Sequence, residues 1–113
     1  DNSARWIAKG SMPHTIEWRW DQAVELGAVR IISGRHDGTR VMAPIRDFKL
    51  QSFDGKTWQD VLPAVTGNEK AAWAGTFDAV KTRQMRLLIT ASPLETSAIW
   101  EVEFYSPVLT GKD

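Results

Sequence analysis

The sequence of 113 residues contains no cysteine. A disulfide scaffold, a thiolate metal site and a cysteine nucleophile are therefore excluded. Charge of one sign is also missing, because 14 Lys+Arg stand against 14 Asp+Glu, and this balance argues against a general nucleic-acid binder, which is usually basic. No apolar run approaches the length of a transmembrane helix. With only two histidines, the chain alone cannot build a His-rich metal site.

Recognisable catalytic motifs are absent as well. The sequence has no G-x-S-x-G, P-loop or H-E-x-x-H pattern, so no enzyme class is indicated. Glu101 and Glu103 would share one strand face about 6.5–7 Å apart, which could suit paired carboxylates in glycoside hydrolysis. Such a pair is more often the solvent face of a strand, and we predict a domain that is not an enzyme.

Length and composition are those of one globular domain. Hydrophobic residues make up 42% and charged residues 25%, so a chain of this size can bury a core without staples. Helical periodicity is weak throughout, whereas period-two alternation is strong. In residues 15–21, Ile16, Trp18 and Trp20 alternate with charged residues. Further predicted strands cover residues 28–33, 46–53, 71–77, 84–90 and 99–105. The step Asp54-Gly55 predicts a hairpin with a type I′ turn.

Six tryptophans are the unusual feature of the composition. An indole suits both a core and a platform on which a sugar stacks. Five of them alternate in phase with other apolar residues or occupy expected core positions. Trp73 is the least determined, because the alanines around it give no clear face. It is therefore the one candidate for stacking on a ligand.

The order of the sequence pieces resembles the coagulation factor 5/8 type C (discoidin) family, whose bacterial branch includes the family 32 carbohydrate-binding modules. The resemblance runs from Asp1 to about Tyr105. It is carried by several short segments in the right order: Arg5-Trp6, Pro13 before Ile16-Glu17-Trp18, Val24-Glu25-Leu26-Gly27 before Val29-Arg30-Ile31, Ile45-Arg46-Asp47-Phe48-Lys49-Leu50, Asp54-Gly55-Lys56-Thr57-Trp58, Thr66-Gly67-Asn68, Arg83-Gln84-Met85-Arg86-Leu87 and Trp100-Glu101-Val102-Glu103-Phe104-Tyr105.

The resemblance implies an all-β fold, an antiparallel, eight-stranded β-sandwich of the jelly-roll, galactose-binding-domain-like type. We expect one domain over residues 1–106 and a C-terminal tail or linker over residues 107–113. The family usually carries a further strand before Arg5-Trp6. This chain starts almost at that element, so we expect either a trimmed domain or a separate preceding piece.

The implied function is non-catalytic recognition of a glycan by loops at one end of the sandwich. The segment from Arg30 to Arg46, both included, contains four arginines and one aspartate, which favours an acidic polysaccharide. We expect a bacterial module, secreted or periplasmic, appended to a larger carbohydrate-active enzyme, with no nucleic acid and no membrane span. Two alternatives remain open: a structural domain that packs against a catalytic neighbour without ligand, and a protein- or lipid-binding discoidin domain.

The candidate ligand-binding residues lie mainly in predicted loops. Arginine forks suit vicinal hydroxyls or a carboxylate, and in sugar-binding relatives an arginine stands where Arg35 does. In those relatives a short side-chain amide often follows some five positions later, where this chain has Arg40. This difference argues against simple galactose recognition. The aromatic platform that the resemblance implies after Trp6 is also missing. The alternative reading is a solvated loop whose arginines pair with carboxylates. The predicted ligand-binding set is Arg35, His36, Asp37, Arg40, Lys9, Trp73 and Glu95.

A structural Ca²⁺ is implied by many relatives, which bind it near the N-terminal polar loop. Hard cations need several oxygen ligands, and Asp1, Asn2, Ser3 and Glu101 could supply some of them. Ala4 stands where a threonine hydroxyl is usual. The second histidine, His14, precedes a predicted strand, and we expect it to make a structural hydrogen bond.

Overall fold

The computed structural model describes residues 6–37, 40–42 and 44–107, with the backbone alone described for 35–37 and 40–42. Over these residues nearly all regular structure is extended, and no helix is long and apolar enough to cross a membrane. The strands are β1 (Trp6–Lys9), β2 (His14–Ser33), β3 (Arg35–Asp37), β4 (Arg40–Met42), β5 (Asp47–Phe53), β6 (Trp58–Asp60), β7 (Ala72–Ala91) and β8 (Thr96–Tyr105).

Six of these strands form one antiparallel sheet in the order β1-β8-β2-β7-β5-β6, and β3 pairs with β4 alone. β2 and β7, of 20 residues each, pair along most of their length. Along β2, the pairing with β8 is confined to the second half, from Ala28 to Ser33. Along β7, the pairing with β5 is confined to the second half, where Asp47 lies opposite Ala91.

The sheet folds over into a two-layer sandwich. The register of β2 against β7 shifts between Arg19 and Val24 and again between Leu26 and Ala28, and bulges of this kind bend strands. Each long strand therefore belongs to one layer in its first half and to the other in its second half. The inner faces meet in one hydrophobic core, in which Trp18 packs edge-on against Phe104 with ring centroids 5.0 Å apart. The predicted all-β antiparallel sandwich is confirmed.

The predicted alternation holds, but the strands are longer than expected. Ile16, Trp18 and Trp20 are half-buried, while the charged residues between them are exposed. The segments predicted as 15–21 and 28–33 are two halves of β2, and the segments 71–77 and 84–90 are two halves of β7. Sequence alternation breaks at the bends because side chains there no longer face a single layer.

Tryptophans contribute to the packing as predicted. Trp6, Trp18 and Trp20 pack against the buried cluster. Trp58 packs on Phe53 with ring centroids 5.2 Å apart, and the Arg86 guanidinium lies 4.3 Å from the centre of the Trp58 ring. These rings cover the sides of the core, as aromatic residues with a large apolar area do.

The hairpin predicted at Asp54-Gly55 is present, but its turn differs from the prediction. Phe53 pairs with Trp58, so the connection has four residues rather than two. Only Gly55 has a positive φ, 99°, whereas a type I′ turn needs two such residues. The Asp54 carboxylate closes the turn instead, since its Oδ1 accepts the backbone N–H groups of Lys56 and Thr57 at 2.8 Å.

The registers define the two ends of the sandwich. The first half of β2 runs along one layer and the second half runs back along the other, so His14 and Ser33 lie at the same end. The two halves of β7 are arranged in the same way. We call this end the loop end, and it comprises residues 9–13, 34–37, 40–42, 44–45 and 91–96. The opposite corner end comprises residues 20–27, 54–57 and 77–83. At the corner end Pro107 lies against Gly27, and the remainder of the predicted tail is outside the described residues.

Candidate binding site at the loop end

The sequence predicted an irregular loop for the segment with the candidate arginines. In the structure, β3 and β4 of this segment pair as a short hairpin. β3 pairs with β4 so that Arg35 lies opposite Met42, His36 opposite Val41 and Asp37 opposite Arg40. Backbone pairing fixes the spacing of these four polar residues. The pair Asp37 and Arg40 lies nearest the tip of the hairpin.

The base of this hairpin is anchored to the sandwich from several sides. Gly34 donates its N–H to the Ala98 carbonyl at 2.9 Å, and Ser33 donates its N–H to Ala71 at 2.8 Å. The buried Ser33 hydroxyl accepts the N–H of Ile45 at 3.1 Å, which fixes the returning chain. The Trp100 indole N–H donates to the Gly34 carbonyl. A rigid scaffold thus positions the hairpin, as functional loops require.

Lys9 and Glu95 lie on neighbouring segments of the same end. Lys9 is the last residue of β1 and pairs with Thr96 at the start of β8. The next residue, Gly10, donates its N–H to the Glu95 carbonyl at 3.1 Å. Both the lysine and the glutamate side chains are exposed. The structure therefore places Lys9 and Glu95 on adjacent segments next to the first residue of β8.

The turn that carries Glu95 has an unusual backbone. Leu94 and Glu95, within the 3₁₀ turn Pro93–Glu95, have φ values of 56° and 52°. Positive φ costs a non-glycine residue free energy and is frequent at binding sites. The Leu94 side chain is 96% exposed. This turn therefore presents an apolar side chain and a carboxylate to solvent at the loop end.

A buried hydrogen-bond chain ties the two segments together. His14 is 6% exposed, its Nδ1 lies 2.8 Å from the Ser97 hydroxyl, and its Nε2 lies 3.0 Å from the Gly10 carbonyl. Because a carbonyl only accepts, Nε2 carries the proton and donates to Gly10. The Ser97 hydroxyl also lies 2.8 Å from that of Ser92. His14 makes the structural hydrogen bond predicted for it.

Trp73 does not join these residues. It packs edge-on against buried Phe48, with ring centroids 5.1 Å apart, and its ring also covers Gly75. The indole is half-buried as part of the core wall. Its contacts with Phe48 and Gly75 give Trp73 a packing role.

Glu101 lies on the outer face of β8, as predicted, and not at the loop end. Its carboxylate is 4.0 Å from Arg30, which also lies 3.7 Å from Glu103. Hydrogen bonding to Glu103 and the negative charge of that neighbour raise the pKa of Glu101. The hydrogen bond from the Tyr105 hydroxyl lowers the pKa of Glu103. These groups satisfy one another on an exposed strand face.

The residues predicted with Glu101 as calcium ligands, Asp1, Asn2 and Ser3, lie outside the described residues. Over the part of the chain that the structure describes, no three His, Asp or Glu side chains are grouped closely enough to hold a metal ion. Glu101 has Arg30 as its neighbour, and a cation competes poorly with a guanidinium already in place. The calcium site remains a prediction.

Solved structures with the same architecture bind carbohydrates. Chitosan-binding module 2 of a chitosanase/glucanase from Paenibacillus sp. IK-5, in complex with chitotriose, is 22% identical, with a TM-score of 0.76 over 93% of this chain and 79% of that one. The family 32 module of NanJ from Clostridium perfringens, in complex with galactose, is 14% identical, with a TM-score of 0.75 over 94% and 79%. A pectin-binding carbohydrate-binding module is 21% identical, with a TM-score of 0.68 over 96% and 76%.

These likenesses establish the fold. The chain has the galactose-binding-like β-sandwich that the discoidin resemblance implied. No protein-family model matches the sequence, and no curated protein matches it.

Sequence reasoning missed several residues that shape the loop end. Ser92 and Ser97 gave no signal, because a hydroxyl partner for His14 that lies 83 positions away is visible only after folding. Nothing in the sequence marks the positive φ of the exposed Leu94. Gly34 is the exception, since its φ of 93° is a conformation that glycine adopts at low cost.

Proposed function

We propose that this domain is a non-catalytic carbohydrate-binding module whose site is the loop end. One observation carries the proposal. The β3–β4 hairpin, Lys9 and the Glu95 turn come from three distant parts of the chain, and the sandwich gathers them at one end. The fold shared with chitosan-, galactose- and pectin-binding modules supports the same reading.

The site offers polar recognition rather than aromatic stacking. Arg35, His36, Asp37 and Arg40 supply guanidinium, imidazole and carboxylate groups within one short hairpin. Arginine forks bind carboxylates and vicinal hydroxyls through paired hydrogen bonds. Lys9 adds a third cation from the end of β1. We infer that the ligand is an acidic glycan, such as a uronate-containing or sulfated polysaccharide.

The proposal extends to the protein in which the domain works. A module of this kind acts by holding an attached carbohydrate-active enzyme near its polysaccharide outside the bacterial cytoplasm. Calcium would serve a structural purpose near the N-terminal polar loop, with Asp1, Asn2 and Ser3 as candidate ligands. Neither enzyme targeting nor structural calcium binding requires a catalytic step at the loop end.

Affinity electrophoresis in native gels tests the site directly. Wild type, Arg35→Ala and Lys49→Ala would be run through gels that contain pectin, a neutral galactan or no polysaccharide, with and without Ca²⁺. Lys49 lies on the outer face of β5, between the buried Phe48 and Leu50. Its replacement changes the net charge as Arg35→Ala does, so the pair separates lost binding from altered mobility.

We expect pectin to retard wild type and Lys49→Ala but not Arg35→Ala. Retardation of all three by pectin would contradict the assignment of the site. Retardation by the galactan instead would retain the module and refute the argument from charge. If neither polysaccharide retards a folded wild-type domain, the result contradicts the proposed acidic-glycan site and favours a domain that packs against a catalytic neighbour.

One observation favours a second candidate, a protein- or lipid-binding domain. Leu94 projects from the loop end almost fully exposed, and lipid-binding discoidin domains use exposed apolar side chains at loop tips. Met12, in the neighbouring loop, packs against the core and is not exposed in the same way. Sedimentation with phosphatidylserine vesicles distinguishes the candidates, because only the second predicts binding that Leu94→Asp abolishes.

A further inference from the structure

The corner end holds a cleft of about 530 Å³ that the proposed function does not use. It forms where β2 and β7 cross between layers. Arg19 pairs with Gln84 and Val24 with Thr82, so residues 20–23 of β2 lie opposite Arg83 alone. The four-residue β5–β6 turn supplies a further wall. The lining residues are Arg19, Trp20, Asp21, Ala23, Phe53, Asp54, Gly55, Lys81, Thr82, Arg83 and Gln84.

Cations outnumber anions in this lining. Arg19, Lys81 and Arg83 are exposed, and the ion pairs among the described residues all belong to Arg30 instead. Arg83 makes a single long hydrogen bond, from Nε to the Trp20 carbonyl at 3.5 Å. Glu25 lies opposite Lys81 in the register without forming a salt bridge.

The acidic groups of the lining do not neutralise these cations directly. Asp54 directs both carboxylate oxygens into its own turn, where they accept hydrogen bonds from Lys56, Thr57 and Gln59. Backbone hydrogen bonds from Thr57 and Lys56 hold the pKa of Asp54 below its ordinary value. Asp21 is exposed and makes no ion pair with any described residue. The guanidinium and ammonium groups therefore remain available to an anionic ligand.

The other lining residues combine an apolar ring surface with polar groups, which suits a sugar ring that has one apolar face. Trp20 is half-buried, and its ring packs edge-on against Phe104 with centroids 5.9 Å apart, which fixes its orientation. Thr82 is 5% exposed and donates its hydroxyl to the Phe53 carbonyl at 2.9 Å, so the floor is rigid. The half-buried Gln84 adds an amide that makes no side-chain hydrogen bond with the described residues.

We propose that this cleft is a second saccharide-binding site, specific for a sugar unit that carries a carboxylate or sulfate group. Arg83 and Arg19 would bind the acidic group through their forks, and Lys81 would add a point charge. The volume lies within the range of small-molecule sites. The proposal rests on the proposed function for its ligand class, and it gives the domain a binding site at each end.

An NMR titration with trigalacturonate separates the two sites. The six indole N–H groups give six side-chain signals, of which Trp20 reports on the cleft and Trp100 on the base of the loop-end hairpin. Wild type, Arg83→Gln/Lys81→Gln, Arg35→Ala and the control Lys49→Gln would each be titrated. Arg83 and Lys81 are exposed and Lys49 is half-buried on the outer face of β5. Unchanged spectra without ligand verify that each variant is folded.

We expect both the Trp20 and Trp100 signals to move in wild type and in Lys49→Gln. Arg83→Gln/Lys81→Gln should weaken the Trp20 response at least tenfold and leave that of Trp100 intact, while Arg35→Ala should do the reverse. A Trp20 response without a Trp100 response would support the cleft and contradict the loop-end site. A Trp100 response alone, or no response, would overturn the second site.

Sodium sulfate and neutral galactotriose complete the test. An equal Trp20 response to free sulfate would overturn the proposal, because the cleft would then bind an adventitious ion only. An equal response to galactotriose would also overturn it, because the acidic group would contribute nothing. Binding of trigalacturonate at a concentration where both probes give no shift supports it.

Discussion

Replacing His14 by alanine should weaken the whole domain through the loop end. The substitution removes hydrogen bonds to Ser97 at 2.8 Å and to Gly10 at 3.0 Å. Each such bond contributes about 1 kcal/mol net. The Ser97 hydroxyl is fully buried but keeps Ser92 as a partner, so the added penalty for an unsatisfied group is small. We therefore expect the free energy of unfolding to fall by about 2–3 kcal/mol.

Urea denaturation followed by tryptophan fluorescence measures this change. Small domains have free energies of unfolding of about 5–15 kcal/mol, so His14→Ala should stay folded and shift the midpoint with an unchanged m-value. A double-mutant cycle with Ser97→Ala isolates the shared bond, and we expect a coupling of about 1 kcal/mol. Thr15→Ala, at the exposed neighbouring position, is the control. A loss below about 0.5 kcal/mol in His14→Ala would refute the account of the network.

Three further perturbations test other parts of the fold. Leu87 is fully buried, so Leu87→Ala should cost about 2–5 kcal/mol in urea denaturation, and a cost below about 1 kcal/mol would contradict the core assignment. Gly27→Ala would bring a methyl group within 2.8 Å of the Pro107 backbone, so it should destabilise the domain by about 1–3 kcal/mol; equal stability would show that Pro107 does not pack there. The pKa of Asp54 is lowered from 3.8, chiefly by the backbone N–H of Thr57, so its contribution to stability is complete above pH 3.8 and is lost as the pH falls through the lowered pKa; a carboxyl NMR titration with a midpoint at or above 3.8 would exclude it.

Alternation alone predicted most of the strands, because one face of each strand meets the core and the other meets water. It failed at residues 20–27, where β2 crosses between layers and side chains face neither layer consistently. The continuity of β2 and β7 depends on bends that tertiary packing produces, and such bends leave no periodic signal. The turn at Asp54 was misjudged for a similar reason, since a side-chain carboxylate rather than a second positive φ closes it.

The candidate site was predictable only in part. The resemblance located the segments with Lys9, Arg35 and Glu95, and the registers bring them to one end. It could not predict the β3–β4 hairpin, which depends on anchors at Ser33, Gly34 and Trp100. Trp73 shows the converse, because flanking alanines hid a contact with Phe48 that lies 25 positions away and belongs to the other layer.

The two ends of the sandwich arise from different features of the same long strands. At the loop end the strands stop, and separate connecting segments supply polar side chains that the core does not constrain. At the corner end β2 continues, and the extra residues between Arg19 and Val24 open a cleft that the strands themselves line. Substitution at the loop end can therefore change ligand preference at little cost to the core. Changes in the cleft also alter the crossing of the layers, so we expect substitutions there to reduce the stability of the domain more than substitutions in the loops do.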